Sequence, residues 1–273
     1  MYRPAIVATL ALSLAAGHLY AQDEPVEGPC CCRTCTQEPN ELETVLGNLQ
    51  AKAATLTSYQ AKIDYVFRQP LLESQQRRTG ILHYAKLDDR SYLRIDFLTL
   101  QQDDEKERPS MEQFLFDGVW LWHVDHRLKR VERRQMAEPN EPLDAFALAS
   151  RQVPVLGFSQ VEDLRRQFEV KLVTDPPEEG PSFHHLHLTV RPDSAYRNDY
   201  SAIDFWVDTK VGLPGRITAI TTGEMEASLL DRYEIAMTDP TVNAQIDRTV
   251  FQIDIPRGFS MDVIPLEKGN RRK

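Results

Sequence analysis

Three absences narrow the classes of protein to which this chain can belong. After Ala21, no stretch approaches the roughly 20 consecutive apolar residues that a membrane-spanning helix requires. A surplus of positive charge is also missing, because the formal net charge is −9, and this argues against nucleic acid as the main partner. The chain has no Gly-rich phosphate loop, no G-x-S-x-G elbow and no H-E-x-x-H pair. We therefore expect a protein that is not an enzyme and that needs no cofactor.

Cysteine is absent after the first 35 residues. The four cysteines lie in an acidic, proline-containing stretch, 22–39, which has no periodicity and is typical of a linker. They are Cys30, Cys31, Cys32 and Cys35. The Cys32-x-x-Cys35 pair could be a redox pair or half of a metal site, but such sites need a structured helix or further ligands, and neither is visible. The alternative that we favour is a disordered tail with a disulfide formed in an oxidising compartment.

The first 21 residues have the pattern of a secretory signal. Arg3 precedes an apolar run from Ala5 to Ala16, and Leu19-Tyr20-Ala21 is a plausible cleavage site. We therefore expect export to the periplasm and a soluble protein after the signal is removed. The predicted organisation is a signal peptide at 1–21, the cysteine-containing linker at 22–39, one folded domain at 40–266 and a basic tail at 267–273.

The folded region begins with an amphipathic helix pattern. Asn40 is placed to cap a helix, and Glu43 follows three residues later as in a reciprocal cap. Apolar residues at spacings of three and four predict a helix of about 17 residues. They are Leu42, Val45, Leu46, Leu49, Ala53 and Leu56. Such a helix could pack on an ordinary core or cover a ligand site.

The chain then takes on the two-residue period of β-strands. From Tyr59 to Phe67, apolar and polar residues alternate, as expected of a strand with one buried face. Short polar turns join successive strands, which indicates an antiparallel meander. The further predicted strands are Ile81–Lys86, Tyr92–Leu100, the two strands of a hairpin at Asp117-Gly118, the basic strand that ends at Arg134, Glu169–Thr174, Phe183–Arg191, Ala202–Asp208, Arg216–Thr222, Met225–Met237 and Val250–Ile255.

The hairpin is centred on Asp117-Gly118, a dipeptide that favours a tight two-residue turn. A loop of that length would place Phe116 opposite Val119. One face would then carry Phe114, Phe116, Val119 and Leu121, and the other Leu115, Trp120, Trp122 and Val124. Because both faces are apolar, both must be covered, or one must line a cavity.

A helical insert interrupts the strands after Pro139-Asn140-Glu141-Pro142. The apolar segment Leu143–Arg151 is a candidate helix. Ser159 is placed to cap a second helix that carries Val161, Leu164 and Phe168. The strands resume after this insert.

Five motifs along the chain form a recognisable set. They are LTSYQAKIDYVFRQ at Leu56–Gln69, Gly80-Ile81-Leu82, Leu93-Arg94-Ile95, DGVWLWHVD with the basic strand that ends at Arg133-Arg134, and Phe251–Gly258. In this order they resemble the LolA/LolB superfamily of lipoprotein and lipid carriers of the bacterial envelope, most clearly at DGVWLWHVD. The similarity covers about residues 42–265. It implies an α+β fold, an antiparallel half-open β-barrel of about eleven strands with helices covering its concave face.

The resemblance has one clear departure at the end of the second strand. Carriers of the superfamily usually have an Arg-Pro pair there, and the arginine holds the lid helices. This chain has Lys86-Leu87 instead. Lys86 could still contact a lid carbonyl, but without the planar fork of arginine.

The resemblance also implies a function, which is to shield the acyl chains of a lipoprotein or lipid in an apolar groove during transfer to the outer membrane. The partners would then be an inner-membrane release complex and an outer-membrane acceptor, with the carrier acting as a monomer. The candidates for the groove, each of which could equally be plain core, are Tyr65, Phe67, Leu93, Ile95, Phe97, Trp120, Trp122, Phe205 and Trp206. The alternative is an envelope-stress sensor or interaction module that uses the same half-barrel without transport.

The histidines give the remaining candidates for chemistry. His185 and His187 share a strand face, but zinc needs three or four ligands and the sequence ties no further Cys, Asp or Glu to that face. We therefore predict no metal site and an exposed strand face. His123 and Asp125 share a face in the same way, and no nucleophile is identifiable within reach of this histidine.

Overall fold

The computed structural model describes residues 41–145, 161–174 and 182–266, all within a compact unit that comprises Pro39–Lys273. These residues form an open twelve-stranded sheet with two α-helices, which confirms the predicted α+β half-open barrel. The predictions for the signal, the linker, the cysteines, the basic tail and most of the helix at Leu143–Arg151 lie outside the described residues. None of the described helices combines the length and apolar character needed to cross a membrane.

The helices and strands have the following bounds. The α-helices are α1 (Glu41–Ala54) and α2 (Val161–Gln167). The strands are β1 (Ser58–Gln69), β2 (Ser74–Leu87), β3 (Arg90–Gln102), β4 (Arg108–Phe116), β5 (Trp120–Asp125), β6 (Arg130–Gln135), β7 (Phe168–Val173), β8 (Phe183–Val190), β9 (Tyr200–Asp208), β10 (Pro214–Thr221), β11 (Arg232–Val242) and β12 (Ser260–Ile264). Short 3-10 turns lie at Pro70–Leu72, Ala227–Leu229 and Arg248–Phe251.

Strand β1 joins the two meanders into one sheet. It pairs with β2 on one side and with β11 on the other, and the order across the sheet is β12-β6-β5-β4-β3-β2-β1-β11-β10-β9-β8-β7. Every neighbouring pair is antiparallel except β12 and β6, which run parallel. Because β12 follows the second meander and returns to the edge of the first, the sheet has one strand more than the eleven expected.

Helix α1 forms where its apolar pattern predicts it, with 14 residues instead of about 17, while the predicted cap Asn40 lies outside the described residues. Glu41 and Glu43 lie in its first turn and Lys52 in its last, which suits the helix dipole. Its apolar stripe buries Val45 and Leu46 against one face of the sheet. We call that face the inner face and the opposite one the outer face.

The β4–β5 hairpin is present, but its register differs from the prediction. Phe116 pairs with Leu121, not with Val119, because Asp117 is the last paired residue and the loop is Gly118-Val119. The Asp117 carboxylate fixes this turn by accepting hydrogen bonds from the backbone N–H groups of Val119 and Trp120, at 3.0 and 2.7 Å. The predicted register was therefore wrong by two residues. A slip of two leaves every side chain on its predicted face.

Two strand predictions near the C-terminus were wrong in part. The segment predicted as one strand at Met225–Met237 contains the 3-10 turn at Ala227–Leu229, and the strand begins only at Arg232. The segment at Val250–Ile255 begins within the 3-10 turn Arg248–Phe251 and is not a strand. There the Arg94 guanidinium donates to the carbonyl oxygens of Val250 and Gln252, at 2.6 and 2.8 Å, so a side chain takes the place of a neighbouring strand.

Apolar side chains form a core on each side of the sheet. The larger lies on the inner face, where α1 and α2 pack on residues such as Phe205 and Leu186. The smaller lies on the outer face, where Phe251 packs on Ala85 and Leu115. The hairpin is apolar on both faces, and the C-terminal segment covers part of its outer face.

Candidate ligand-binding site

The inner face differs between the two halves of the sheet. Over strands β8 to β10 it is closely packed, and Phe205 is only 2% exposed between Leu186 on β8 and Ile217 on β10. Leu164 of α2 is also fully buried in this core. Phe205 therefore lies on the predicted face, but it is an ordinary core residue.

Over strands β1 to β5 the inner face carries apolar side chains that remain half exposed. We call this set the inner strip, and its members are Tyr65, Leu93, Ile95, Phe97, Phe114 and Leu121. All but Phe97, which is 8% exposed, are half-buried. The strip is continuous, because Ile95 pairs with Phe114 and the Phe97 ring contacts those of Tyr65 and Phe114, with centroids 5.8 and 6.2 Å apart.

The strip extends to β11 through stacked aromatic rings. Phe67 stacks on Tyr233 with ring centroids 4.7 Å apart, and Tyr65 lies 6.3 Å from the same ring. Burial raises the pKa of Tyr65 to about 12, so its hydroxyl is neutral over the physiological range. Tyr65, Phe67, Leu93, Ile95 and Phe97 are thus brought together as the sequence predicts.

A charged cluster borders the inner strip. Glu112 forms a salt bridge with Arg78 and accepts a hydrogen bond from His123 Nε2 at 2.7 Å. The Arg78 and Glu112 side chains are 19% and 15% exposed. Burial lowers the pKa of His123, and Asp125 and Glu132 only partly oppose that shift. His123 is therefore a neutral donor near pH 7, although its partner is a carboxylate.

The three tryptophans lie on the outer face of the sheet, opposite the inner strip. Trp120 and Trp122 point to the outer face, where the Arg133 guanidinium lies 3.9 and 4.5 Å from their ring centroids. Trp206 also faces outward, with Arg216 3.7 Å above its ring. The predicted groove candidates combined residues of both faces, and the strand register assigns these three to the outer one.

Lys86, near the end of β2, is exposed and lies close in space to the segment that leads into the helical insert. It borders a cleft of about 250 Å³ that is also lined by Pro142, Leu143 and Asp144. Beside this cleft, the buried Ser91 hydroxyl accepts the backbone N–H of Ala145 at 2.6 Å. The lid contact predicted for Lys86 stays a prediction, since 146–160 are outside the described residues.

The histidines on β8 have an acidic partner that the sequence did not reveal. Asp204 on β9 accepts hydrogen bonds from His185 Nε2 and His187 Nδ1, at 2.8 and 2.7 Å. His185 is 12% exposed, so this end of the outer face is not the freely exposed strand face that we predicted. Within the described ranges, no group of three or more His, Cys, Asp or Glu is arranged to hold a metal ion.

Sequence reasoning missed Arg78 and Glu112. The signal was available, because Arg78 has the same parity as the buried Leu82 and Tyr84 on β2, and Glu112 the same parity as Phe114 on β4. A charged residue at an inward-facing position of a strand indicates an ion pair or a functional site. Neither residue could be matched to its partner before the register between strands was known.

Comparison with known proteins gives similarity in structure only. No family model matches the chain, and no curated protein matches it. The chain is similar to an uncharacterised conserved protein of Thermus thermophilus, with a TM-score of 0.47 and 8% identity over 82% of this chain and 99% of that one. It is similar to the MucA/MucB complex structure of Pseudomonas aeruginosa (TM-score 0.43, 14% identity), over 79% of this chain and 62% of that one. It is also similar to a LolA superfamily protein of Nitrosomonas europaea (TM-score 0.31, 11% identity), over 77% of this chain and 97% of that one. Likenesses at these values carry no function over to this chain.

Proposed function

We propose that this protein is a carrier that binds an acyl chain of a lipid or lipoprotein along the inner strip. The observation that supports the proposal is the continuous row of apolar side chains from Tyr65 to Leu121, all of which are half-buried except the buried Phe97. Soluble proteins rarely leave such a row in contact with water unless it binds something. Residues of α1 and α2 belong to the core that fills the other half of the inner face.

The size of the strip suits one acyl chain. It crosses five adjacent strands, β1 to β5, and four spacings of about 4.8 Å give a width of about 19 Å. The chains of one membrane leaflet span about 15 Å, half of a hydrocarbon core of about 30 Å. Each methylene removed from water contributes about 0.8 kcal/mol, so partial coverage of ten methylenes already gives several kcal/mol.

The polar groups beside the strip favour binding over catalysis. His123 could act as a general base only if it contacted a nucleophile or a substrate proton. Its Nε2 is instead bound to Glu112, and Glu112 is bound to Arg78. These groups therefore serve to hold one another and to border the apolar strip. We therefore propose a non-catalytic role. The protein would act in the periplasm, between an inner-membrane donor and an outer-membrane acceptor.

A pair of isoleucines provides a matched test. Ile95 on β3 and Ile81 on β2 are both half-buried and lie on adjacent strands, but Ile95 faces inward and Ile81 outward. Titration of the full chain with a fluorescent 16-carbon fatty acid measures acyl binding. We expect Ile95→Asn to weaken binding by about tenfold or more, and Ile81→Asn to leave it unchanged. Failure of the wild-type chain to bind, or equal loss in both variants, would contradict the proposal.

The same probe separates a carrier from a sensor. The loaded protein is mixed with acceptor vesicles of phosphatidylglycerol and phosphatidylethanolamine, and the transfer of the probe is followed over time. A carrier must release its chain, so the probe should pass to the vesicles within minutes. Tight retention would favour the sensor or interaction module.

A further inference from the structure

A positively charged cleft opens at the end of the inner strip. Its volume is about 200 Å³, and its charged lining consists of Arg78, Arg108, Glu112, Asp125 and Arg127. All five lie in the described part of the chain, on β2, on β4, at the end of β5 and in the turn that follows it. The cleft therefore combines three guanidinium groups with two carboxylates in a protein whose overall charge is −9.

Two of the three arginines are uncommitted. Arg78 is held by Glu112. Within residues 41–145, 161–174 and 182–266, no hydrogen bond or ion pair involves the side chain of Arg108 or Arg127, and both are exposed. Guanidinium groups bind phosphate through paired N–H donors in a planar fork, which makes them well suited to this anion.

In this cleft, the positive charge of Arg127 lies near the partly buried guanidinium of Arg78. Burial lowers the pKa of Arg78, and the nearby positive charge of Arg127 acts in the same direction, while Asp125 opposes it. An anion placed between these arginines would offset their repulsion. A phosphate monoester carries about −1.5 to −2 charges near pH 7 and can pair with both free arginines, against one opposing negative charge from Asp125 in the same cleft.

The cleft and the inner strip are in direct contact. Arg78 lies over the Phe97 ring, 5.9 Å from its centroid. Glu112 is the next inward-facing residue after Phe114 on β4, a separation of about 7 Å along a strand. A molecule lying on the strip would therefore bring its end group to the arginines.

We propose that the cleft binds the phosphate group of a phosphorylated lipid whose acyl chain lies on the inner strip. This inference rests on the proposed function and deepens it, because it names an anionic phospholipid as the ligand class. Arg108 and Arg127 bind the phosphate, and Arg78, fixed by Glu112, positions it next to the apolar surface. A free phosphorylated solute has the same anionic group, but it would leave the strip unused.

Short-chain lipids that dissolve as monomers test this inference with the full chain. Dihexanoyl phosphatidate carries a phosphate monoester. Dihexanoyl phosphatidylcholine carries a phosphodiester whose single negative charge is balanced by its choline, and glycerol 3-phosphate lacks the chains. Calorimetric titration should show phosphatidate binding about tenfold more tightly than phosphatidylcholine, with glycerol 3-phosphate weaker still. Arg108→Gln and Arg127→Gln should each reduce the preference at least threefold. Arg257→Gln removes an exposed arginine elsewhere and should leave it intact.

The possible failures are distinguishable. Equal binding of phosphatidate and phosphatidylcholine would overturn the phosphate site but leave acyl binding intact. Glycerol 3-phosphate binding as tightly as phosphatidate would show a site for a soluble phosphate compound and overturn the lipid assignment. If neither lipid binds and the 16-carbon fatty acid also fails, both this inference and the proposed function are wrong.

Discussion

The imidazole of His123 lies flat against the phenyl ring of Phe114, with ring centroids 4.4 Å apart and planes inclined by 6°. The two residues are directly paired across β4 and β5. One ring belongs to the apolar strip, and the other donates to Glu112 in the charged cluster. This pair is thus the junction between the surface proposed to hold an acyl chain and the cleft proposed to hold its phosphate.

The burial of His123 predicts a loss of stability at acid pH. Its pKa is lowered below the ordinary value of 6.5 in the folded chain, so the unfolded chain binds a proton first as the pH falls. That contribution to the free energy of unfolding is complete above pH 6.5 and is lost progressively below it. Urea denaturation at pH 7.5 and 5.5 should show a smaller decrease for His123→Gln than for the wild type. Burial also lowers the pKa of His83, so part of the decrease should persist in the variant. An undiminished pH dependence in His123→Gln would contradict this account.

The close approach of β2 and β3 predicts that Gly80 cannot carry a side chain. A Cβ at this position would lie 1.9 Å from the carbonyl oxygen of Asp96, and a backbone atom cannot move away cheaply. We expect Gly80→Ala to destabilise the fold by about 2 kcal/mol or more, as overpacking does. Gly47 is the control, because nothing lies within 4 Å of its Cβ position on α1. Gly47→Ala should stabilise the protein by about 0.5–1 kcal/mol. Thermal unfolding that ranks the two variants the other way would refute the close approach.

The Ser91 hydroxyl anchors the start of the helical insert. It accepts the Ala145 N–H at 2.6 Å in a buried site, and Ser91→Ala would leave that donor unpaired. The expected cost is about 1–3 kcal/mol in the free energy of unfolding. Ser228 is exposed and serves as the control, with a change within about 0.5 kcal/mol for Ser228→Ala. Equal effects at the two sites would show that the Ser91 bond contributes nothing.

Because Arg133 lies on the outer face, we expect its substitution to lower the stability of the fold without changing acyl binding. Arg133→Ala removes a guanidinium that stacks on Trp120 and Trp122, which should cost about 1–2 kcal/mol. Arg130, whose exposed salt bridge to Asp262 contributes little, is the matched control. Neither substitution should change the affinity for the fatty acid probe. Weaker acyl binding in Arg133→Ala alone would show that the tryptophan face takes part in the site.

The sequence predicts which residues share a face better than it predicts what they touch. The period of two placed Leu93 and Ile95 on one face of their strand, because alternation is a property of each strand by itself. It could not relate that face to the faces that carry Tyr65 or Trp120, since those relations depend on how separate strands are paired. The two-residue slip at the hairpin is of the same kind, because the choice of loop residues was made by the Asp117 side chain.

The C-terminal segment and the charged cleft could not be predicted from the sequence for a different reason. Val250 and Gln252 have the alternation of a strand, but their carbonyl oxygens are bound by Arg94, which is remote in the sequence. Arg78 and Arg127 likewise come together only when the sheet forms. Contacts of this kind depend on long-range pairing, and local patterns do not encode them.

Photocrosslinking with a diazirine-labelled palmitate reports which face of the sheet the acyl chain contacts. The full chain is irradiated with the bound probe, digested and mapped by mass spectrometry. We expect adducts on the inner strip, at Leu93, Ile95 and Phe114. Adducts concentrated on Trp120, Trp122 or Trp206 on the outer face, or no adduct above that of an unrelated protein, would contradict it.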